Sequence, residues 1–501
     1  MGDTTKVSES ESAQTAKTRR KVVKAPRFSV EYMDKSVDPR RDFYMFANGK
    51  WVASHPVPDD KTRWGAFNEL YDWNMLLLKK LADSCVKKSA PGSTERLVGD
   101  FYKSGMNTRA IEAGKFRQIE DLWDSVENSK TLSDLIALTP RLHMAGVQFL
   151  FRSHSQADKK NSGVYAFYIN QGGLSLPDRE YYLSEKFAAL RSQYLAHVSK
   201  MFRLKGVSRK EADFAAQSVL RLETELASYS RKRVELRDQE KNYNKFLLNE
   251  LEAQYPTLEL NEYLEGLSVG ERQYLIVGQP EFFSAVSRSL SQTNFQALKD
   301  YAKWHVLLAY APYLHRAVES EYFDFFNRKL LGQQRPETRW KRVIRTVDEC
   351  IGEALGKLYV EKHFPPEARQ RMEELVGDIC AVFKDRLASL PWMTEPTRKA
   401  ALEKFERFRP KIGHPEKFRD YSGLIIESDD YAGNVRRSIE FEAKRQATRV
   451  GQPVDRTEWR MTPPTVNAYF SPTDNEIVFP AGILQPPFFD VEMDDAVNYG
   501  G

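Results

Sequence analysis

The sequence predicts a mainly helical protein with a small α+β part near its C-terminal end. Two observations support this fold class. Through most of residues 98–410, apolar residues recur at three- and four-residue steps, which is the period of a helix that buries one face. Residues 459–489 instead carry β-branched and aromatic residues around turn-forming ones, a pattern typical of extended structure. We therefore expect a large helical domain inserted between two short segments that pack together.

The predicted elements follow in order along the chain. Asn-Gly and Pro residues keep 38–63 from forming one long helix. A helical run begins near Ala66 and continues to about Leu97, with an interruption at residues 91–92. Within the helical region, residues 164–169 alternate in polarity and predict a strand. Residues 420–438 predict a largely polar connector that leads into the extended part.

The extended part predicts a hairpin with one strand at the edge of a sheet. Its strands are 465–470 and 476–479, and 471–475 form the turn. Pro472 and Pro480 cannot donate ladder hydrogen bonds, which favours an edge position. An edge strand can bind a peptide by backbone pairing, and the Asn467 amide can both donate and accept. The alternative is an ordinary hairpin in which Asn467 is satisfied locally.

Composition and charge exclude several classes of protein. Charged residues make up 29% of the 501 residues and the formal net charge is +5. Seven basic residues lie in the first 27 positions, so the remainder is near neutral, which argues against a nucleic-acid-binding body. We interpret residues 1–37 as a disordered basic tail; a nuclear or acidic-partner role for residues 19–21 is the alternative.

The sequence also predicts a cytoplasmic location. No apolar run approaches the ~20 residues that span a bilayer, so we expect no membrane association. The first 28 residues lack the apolar stretch of a secretory signal. Cys85, Cys350 and Cys380 are scattered and show no Cys-x-x-Cys spacing, which fits free thiols in a reducing compartment.

Residue motifs alone do not identify a chemistry. No two of the eight histidines stand four residues apart, so there is no His-Glu-x-x-His helix, and Gly-x-Ser-x-Gly and phosphate-loop motifs are absent. We expect His305 to face the core and His414 to lie in a loop. Residues 339–342 (RWKR) could bind nucleic acid, but a helix start that packs Trp340 and solvates its charges is favoured. Residues 231–233 are likewise interpreted as a solvated helix face.

Several segments resemble, in the same order, landmarks of the neprilysin and endothelin-converting enzyme family of zinc metallopeptidases, which includes PepO-like members. The segments are 38–44 with 48–51, 101–106, 173–182, 339–342, 392–393, 411–415, 467–469 and 480–482. The resemblance covers nearly the whole chain from about Asp38.

The resemblance implies zinc-dependent hydrolysis of oligopeptides and a helical domain inserted between segments of a thermolysin-like catalytic domain. By this resemblance, residues 38–64 are the entry segment, 65–420 the helical domain and 421–501 the start of the catalytic domain. The His-Glu-x-x-His helix would follow Gly501, so we assign no catalytic residue and no metal ligand here. The complete enzyme would hold zinc, and this chain alone would bind none and be inactive.

The resemblance also implies three substrate-binding residues. Asn467 and Ala468 would hold the substrate backbone, and Arg63 would meet a C-terminal carboxylate. Two residues depart from the family pattern: Arg40 replaces a cysteine, and Tyr71 stands where some members carry a second carboxylate-binding arginine. The expected partners are oligopeptides and a separate zinc-bearing C-terminal part, with no nucleic acid. The alternative function is a non-catalytic peptide-binding or regulatory helical module.

Overall fold

The computed structural model describes residues 25–87, 90–270 and 273–501. Most of these residues lie in helices, and the strands form two small sheets. The prediction of a mainly helical fold with a small α+β part is therefore confirmed. Of the predicted basic tail, residues 1–24 lie outside the described residues. Among the described residues, no helix is both long and apolar enough to cross a membrane.

Ten helices lead from the entry segment through the first half of the chain. They are α1 Phe43–Ser54, α2 Ala66–Lys87, α3 Thr94–Met106, α4 Thr108–Gly114, α5 Glu120–Asn128, α6 Leu132–Ala137, α7 Thr139–Met144, α8 Glu180–Leu183, α9 Ala188–Lys205 and α10 Arg209–Tyr229. Side chains cap several of these helices: Asp42 accepts from the N–H of Met45 at the start of α1, and Ser93 does the same for Arg96 in α3. The predicted interruption lies between α2 and α3.

Ten more helices complete the described chain. They are α11 Leu248–Gln254, α12 Leu260–Gly266, α13 Pro280–Leu290, α14 Phe295–Tyr310, α15 Arg316–Tyr322, α16 Arg339–His363, α17 Pro366–Ser389, α18 Glu395–Glu406, α19 Tyr431–Thr448 and α20 Asp495–Gly500. A π-helical segment, Phe323–Lys329, follows α15. The backbone of α16 is non-helical at Ile351, where the helix bends.

The first sheet belongs to the helical region. Its strands are β1 Phe151–Ala157, β2 Tyr165–Gln171, β3 Asn244–Leu247 and β4 Tyr274–Val277, in the order β1-β2-β4-β3. The strand predicted at 164–169 is β2, whereas β1, β3 and β4 were not predicted from the sequence. Strand β2 pairs antiparallel with β1 and parallel with β4.

The second sheet contains the predicted hairpin. Its strands are β5 Arg409–Gly413, β6 Tyr469–Ser471 and β7 Glu476–Pro480, in the order β5-β7-β6. Strands β6 and β7 pair antiparallel, with Tyr469 opposite Val478, and β6 is at an edge of the sheet. The prediction that the first strand begins at 465 was wrong, because the pairing with β7 covers only Tyr469, Phe470 and Ser471.

Two buried clusters hold these elements together. The larger one contains helices α5–α7 and α9–α15 with the inward face of the first sheet. The other one joins α2, α3, α16 and α17 to Ala481, Leu484 and Phe489 near the hairpin. The helices α2 and α16 thus share one core with the hairpin and fix its position.

Two expectations about the chain outside the hairpin were wrong. The connector predicted at 420–438 ends earlier, because Asp430 accepts a hydrogen bond from the N–H of Gly433 and α19 begins at Tyr431. Arg231 is not on a solvated helix face, since α10 ends at Tyr229. Its side chain is 9% exposed and its guanidinium donates to Glu281.

Candidate functional site

The segment before Asn467 lies on a flat face of α16 formed by two glycines. A Cβ at Gly352 would be 2.3 Å from Cγ2 of Thr462, and one at Gly356 would be 2.5 Å from Cδ of Pro463. Both distances are too short for a side chain. Because Gly352 and Gly356 stand one helical turn apart on the same face, residues 462–463 approach the helix backbone closely.

Asn74 on α2 makes four hydrogen bonds, one of which holds this segment. Its Nδ2 donates to the carbonyls of Pro464 (3.3 Å) and Gly482 (3.0 Å). Its Oδ1 accepts from the hydroxyl of Tyr359 (3.0 Å) and from Nε2 of Gln485 (2.8 Å). Asn74 is 2% exposed, so these bonds satisfy a buried amide completely. The sequence analysis missed Asn74, and no sequence motif marks it.

Gly482 is the other fastening point. A Cβ there would lie 2.3 Å from the carbonyl oxygen of Pro464. Its N–H donates to the carbonyl of Pro463 (2.7 Å), and the N–H of Ala481 donates to Gly413 at the end of β5 (2.7 Å). Residues 480–482 therefore hold the segment that precedes Asn467 against the second sheet.

Asn467 and Ala468 lie immediately before the edge strand β6. Asn467 is exposed, and its Oδ1 accepts from the N–H of Ala468 (2.9 Å). Within the described chain its Nδ2 has no hydrogen-bond partner. The alternative prediction, that Asn467 is satisfied locally, therefore holds for its oxygen but not for its NH₂ group. Ala468 is half-buried. The edge of β6 that faces away from β7 has no neighbouring strand in the part of the chain that the structure describes.

Arg63 is exposed on the segment that enters α2. It forms no hydrogen bond or ion pair with any described residue. Four residues further on, the ring of Phe67 contacts Phe488, with centroids 4.5 Å apart. The start of α2 therefore contacts the region beyond the hairpin. Arg63 lies four residues before this contact, and its guanidinium has no partner among the described residues.

A charged cluster beside Tyr71 anchors the entry segment. Nζ of Lys61 lies 3.0 Å from Asp72 and 2.5 Å from Glu337. Arg345 on α16 pairs with Glu337 and donates to the Tyr71 hydroxyl (3.2 Å). Burial opposes ionisation of Glu337, but Arg345 and Lys61 together hold its pKa below the usual value. This cluster joins residue 61 to α2 and α16.

The basic run at 339–342 contributes to the same region. It begins α16, as expected for a helix start, and Trp340 packs on the second core. Its cations are paired rather than solvated, however. Nζ of Lys341 lies 2.7 Å from Asp72, and Nε of Arg339 donates to the carbonyl of Gly105 (2.8 Å). This helix start ties α16 to α2 and α3.

One carboxyl group lies directly under the segment before Asn467. The hydroxyl of Thr462 donates to Oδ1 of Asp348 on α16 (2.9 Å). Burial raises the pKa of Asp348 to about 7. The protonation state of Asp348 is therefore coupled to the packing of residues 462–463 on α16.

The described residues do not fit a zinc ion. In residues 25–87, 90–270 and 273–501, no three His, Cys, Asp or Glu side chains are grouped to hold a metal. His143 uses Nδ1 on the Tyr263 hydroxyl and Nε2 on the Phe149 carbonyl. His305 is buried in the core and His414 follows β5 in a loop, both as predicted. No reaction step through a metal can be assigned to these side chains.

Comparison with known proteins identifies the kind of protein that this fold and edge strand define. Models of a peptidase family, peptidase family M13, match residues 39–415 and 467–501. The chain belongs to peptidase family M13, a family of zinc metallopeptidases. The resemblance drawn from the sequence landmarks is thereby confirmed.

Individual relatives share most of this chain. It is 30% identical over 499 residues to the endothelin-converting enzyme homolog of Locusta migratoria, covering 93% of this chain and 68% of that protein. It is 30% identical over 498 residues to endothelin-converting enzyme 1 of Bos taurus, covering 94% and 64% respectively. The crystal structure of the Mycobacterium tuberculosis zinc metalloprotease Zmp1 in complex with inhibitor matches with a TM-score of 0.90 at 34% identity, covering 95% of this chain and 73% of that chain. The chain spans about two thirds of the length of these two curated relatives.

Proposed function

We propose that these 501 residues form the peptide-binding part of a zinc-dependent metalloendopeptidase that acts on oligopeptides, and that they do not cut peptides by themselves. The observation that carries the proposal is the free edge of β6, which begins beside the half-satisfied amide of Asn467. The segment before it is held by Asn74 and Gly482, so the edge is rigid before a ligand arrives.

An extended peptide would pair with the free backbone groups of β6. Nδ2 of Asn467 would donate to a substrate carbonyl, and its Oδ1 would exchange the N–H of Ala468 for a substrate N–H. The methyl side chain of Ala468 leaves room for this approach. The exposed guanidinium of Arg63 is suited to bind the peptide's terminal carboxylate through two parallel hydrogen bonds. Together these residues bind and orient a peptide without supplying a nucleophile.

In this family zinc supplies an activated water. The sequence contains no His-Glu-x-x-His pair, and the described residues offer no metal group. We therefore place the zinc in a further protein part, in the same polypeptide or a separate one. An apolar groove of about 560 Å³ beside the hairpin supports this placement, because it exposes large hydrophobic side chains. Its lining includes Ile379, Phe383, Phe405, Phe470 and Phe479.

The alternative is a non-catalytic peptide-binding or regulatory module. The absence of a metal group in the described residues favours it as the second candidate. The two candidates differ in the state of the apolar groove. A module that acts alone should be monomeric, unfold cooperatively and bind little hydrophobic dye, whereas a part that requires a zinc-bearing partner should bind the dye strongly.

The direct test is peptide binding by the 501-residue protein. A fluorescein-labelled oligopeptide should bind by anisotropy, and Asn467→Ala should weaken binding about tenfold, as expected for loss of one or two backbone hydrogen bonds. Zinc content should be well below one per chain, and mass spectrometry should detect no cleavage. Failure of the wild-type protein to bind peptide would overturn the proposal. Cleavage that a chelator abolishes, with one zinc ion bound per chain, would contradict the proposal that these residues do not cut peptides by themselves.

We also propose that the protein works in the cytoplasm. Cys85 is buried, and Cys350 and Cys380 are half-buried; all three are free thiols. Burial raises the pKa of Cys85 to about 11, so this thiol stays protonated and unreactive. Free thiols fit a reducing compartment. Cell fractionation with a cytoplasmic marker should recover the protein in the same fraction, and recovery from a secreted fraction would contradict this.

A further inference from the structure

A second concave surface lies between the first sheet and the turn of the β6–β7 hairpin. It is a cavity of about 930 Å³, and none of the predicted site residues lines it. One wall comes from β1, β2 and the loop that joins them, and the opposite wall includes Arg460 and the hairpin turn at Pro472 and Thr473. The cavity therefore connects the helical region with the strand proposed to bind peptides.

The register of the first sheet explains which side chains line this cavity. Alternate residues of β1 and β2, such as Phe151 and Ile169, point into the larger core. The residues between them point the other way. Arg152 is paired with Asn170, and His154 with Tyr168, and all four line the cavity. The His154 ring stacks on Tyr168, with centroids 5.4 Å apart.

The cavity wall carries positive charge that the described residues neutralise only in part. Of its four Lys and Arg residues, Lys160 pairs with Glu240 (2.7 Å) and Arg460 pairs with Asp474 (2.8 Å). Arg152 and Lys159 have no ion pair with any described residue. Two cations on one concave wall raise the local concentration of anions.

The acid next to Lys159 is not available to it. Asp158 is buried, and its carboxylate accepts from the hydroxyls of Tyr243 (2.9 Å) and Tyr274 (2.6 Å). Lys159 is half-buried, with Nζ 5.8 Å from the Tyr168 ring centroid. Burial lowers the pKa of Lys159, because it disfavours the charged ammonium group. The pKa of His154 is lowered by desolvation of its ring and by the nearby cations of Lys159 and Arg449, although the residue is exposed.

The position of the cavity relative to β6 defines what can reach it. Strand β6 covers Tyr469–Ser471, and the turn that follows it carries Pro472 and Thr473, which line the cavity. A peptide that pairs with β6 and continues past Ser471 therefore leads towards the mouth of the cavity.

The geometry points to a subsite for an acidic side chain of the bound peptide, in which Arg152 and Lys159 recognise the carboxylate. This inference rests on the proposed peptide binding and adds a preference for acidic residues at one end of the substrate. The planar guanidinium of Arg152 can bind a carboxylate through two hydrogen bonds, and Lys159 adds a point charge. Asn170, opposite Arg152 in the sheet, offers an amide donor to the same group.

The experiment compares two labelled ten-residue peptides that differ only in three Glu residues or three Gln residues at one end. Both orientations of the Glu run are made, because the direction of the peptide on β6 is unknown. Anisotropy titrations of the 501-residue protein at low salt should show about tenfold tighter binding of one Glu peptide than of its Gln counterpart. Raising the salt concentration should reduce this advantage, since the recognising charges are partly solvated.

The variant Arg152→Gln with Lys159→Gln should abolish the advantage and leave the affinity for the Gln peptide unchanged, which also shows that the variant is folded. Lys210→Gln removes an exposed, unpaired cation from α10 and should change neither affinity. Equal binding of Glu and Gln peptides, or a preference that survives the double substitution, would overturn the subsite while leaving peptide binding intact. Binding of neither peptide would overturn the subsite and the proposed function together. If inorganic phosphate displaces the labelled Glu peptide and unlabelled Glu peptide does not, the cavity binds a different anion and the peptide subsite is overturned.

Discussion

Nδ2 of Asn74 donates a 3.0 Å hydrogen bond to the carbonyl of Gly482, joining residues that are 408 positions apart in sequence. The same amide also binds Pro464, Tyr359 and Gln485. A single buried side chain of α2 thus holds both ends of the hairpin region against α16. The rigidity of the edge strand follows from this contact, because β6 itself contains only three residues.

Substitution Asn74→Ala should lower the free energy of unfolding by about 2–4 kcal/mol, since it leaves buried carbonyl and amide groups without partners. It should also weaken peptide binding, because the carbonyls of Pro464 and Gly482 lose the amide that joins them on either side of the hairpin. Urea unfolding and peptide anisotropy measure the two effects. Asn68→Ala on the same helix is the matched control, since the side chain of Asn68 forms no hydrogen bond with a described residue. Equal effects of the two substitutions would show that Asn74 has no special role.

The sequence predicted the type of structure better than the contacts that fix it. Periodicity located the helices and the hairpin because burial of one face is a local pattern. It placed the first hairpin strand four residues too early, since the packing of residues 462–463 on Gly352 and Gly356 is a contact between distant segments. Local pattern likewise could not reveal Asn74, whose four partners are all more than 280 positions away.

In the candidate site, too, the sequence suggested individual residues but not the contacts between distant segments. The resemblance pointed to Asn467, Ala468 and Arg63, and their roles remain proposals. The cations at Arg152 and Lys159 were not singled out from the sequence. The direction of Arg152 follows from strand register, whereas Lys159 lies in the loop after β1. Their position opposite the hairpin turn follows from how two distant sheets pack.

Gly482→Ala should destabilise the protein by about 1–3 kcal/mol, because the new Cβ would overlap the carbonyl oxygen of Pro464 and force the backbone to shift. Peptide affinity should fall with it. Gly377→Ala on α17 is the control, since a Cβ there meets nothing within 4 Å and alanine favours a helix. Thermal unfolding should give a lower Tm for Gly482→Ala and an unchanged or higher Tm for Gly377→Ala. The reverse order would contradict the close approach at Gly482.

Tyr182→Phe should cost about 2–3 kcal/mol of stability. The hydroxyl of Tyr182 donates to the buried carboxylate of Glu223 (2.9 Å) and accepts from the N–H groups of Ser175 and Leu176. Removing the hydroxyl leaves the N–H groups of Ser175 and Leu176 without this acceptor and takes one of three hydroxyl donors from Glu223, since Ser175 and Tyr194 still donate to its carboxylate. This network ties residues 175–182 to α10.

The neighbouring Tyr181→Phe provides a matched control. Tyr181 is half-buried and stacks on Phe187, and its hydroxyl has no hydrogen-bond partner in the described chain. Chemical denaturation should therefore show a change within about 0.5 kcal/mol for Tyr181→Phe. A similar loss in both variants would indicate that ring packing, and not the hydroxyl of Tyr182, stabilises the loop.

Asp348 predicts a specific pH dependence of stability. Its pKa is raised from 3.8 to about 7 in the folded protein, so the folded state keeps a proton that the unfolded chain releases between these values. The contribution of Asp348 to stability is therefore greatest below about pH 4, falls as the pH rises to about 7, and is then constant. The total loss from this group is on the order of 2–4 kcal/mol. The variant Asp348→Asn cannot ionise, so the difference in unfolding free energy between variant and wild type should grow in the variant's favour from pH 4 to pH 7. Asp385→Asn, at an exposed position on α17 without an ion pair to any described residue, makes the same chemical change away from Thr462 and is the control. If urea unfolding between pH 4 and pH 8 gives parallel curves for Asp348→Asn and the wild type, Asp348 is not the titrating group beneath Thr462.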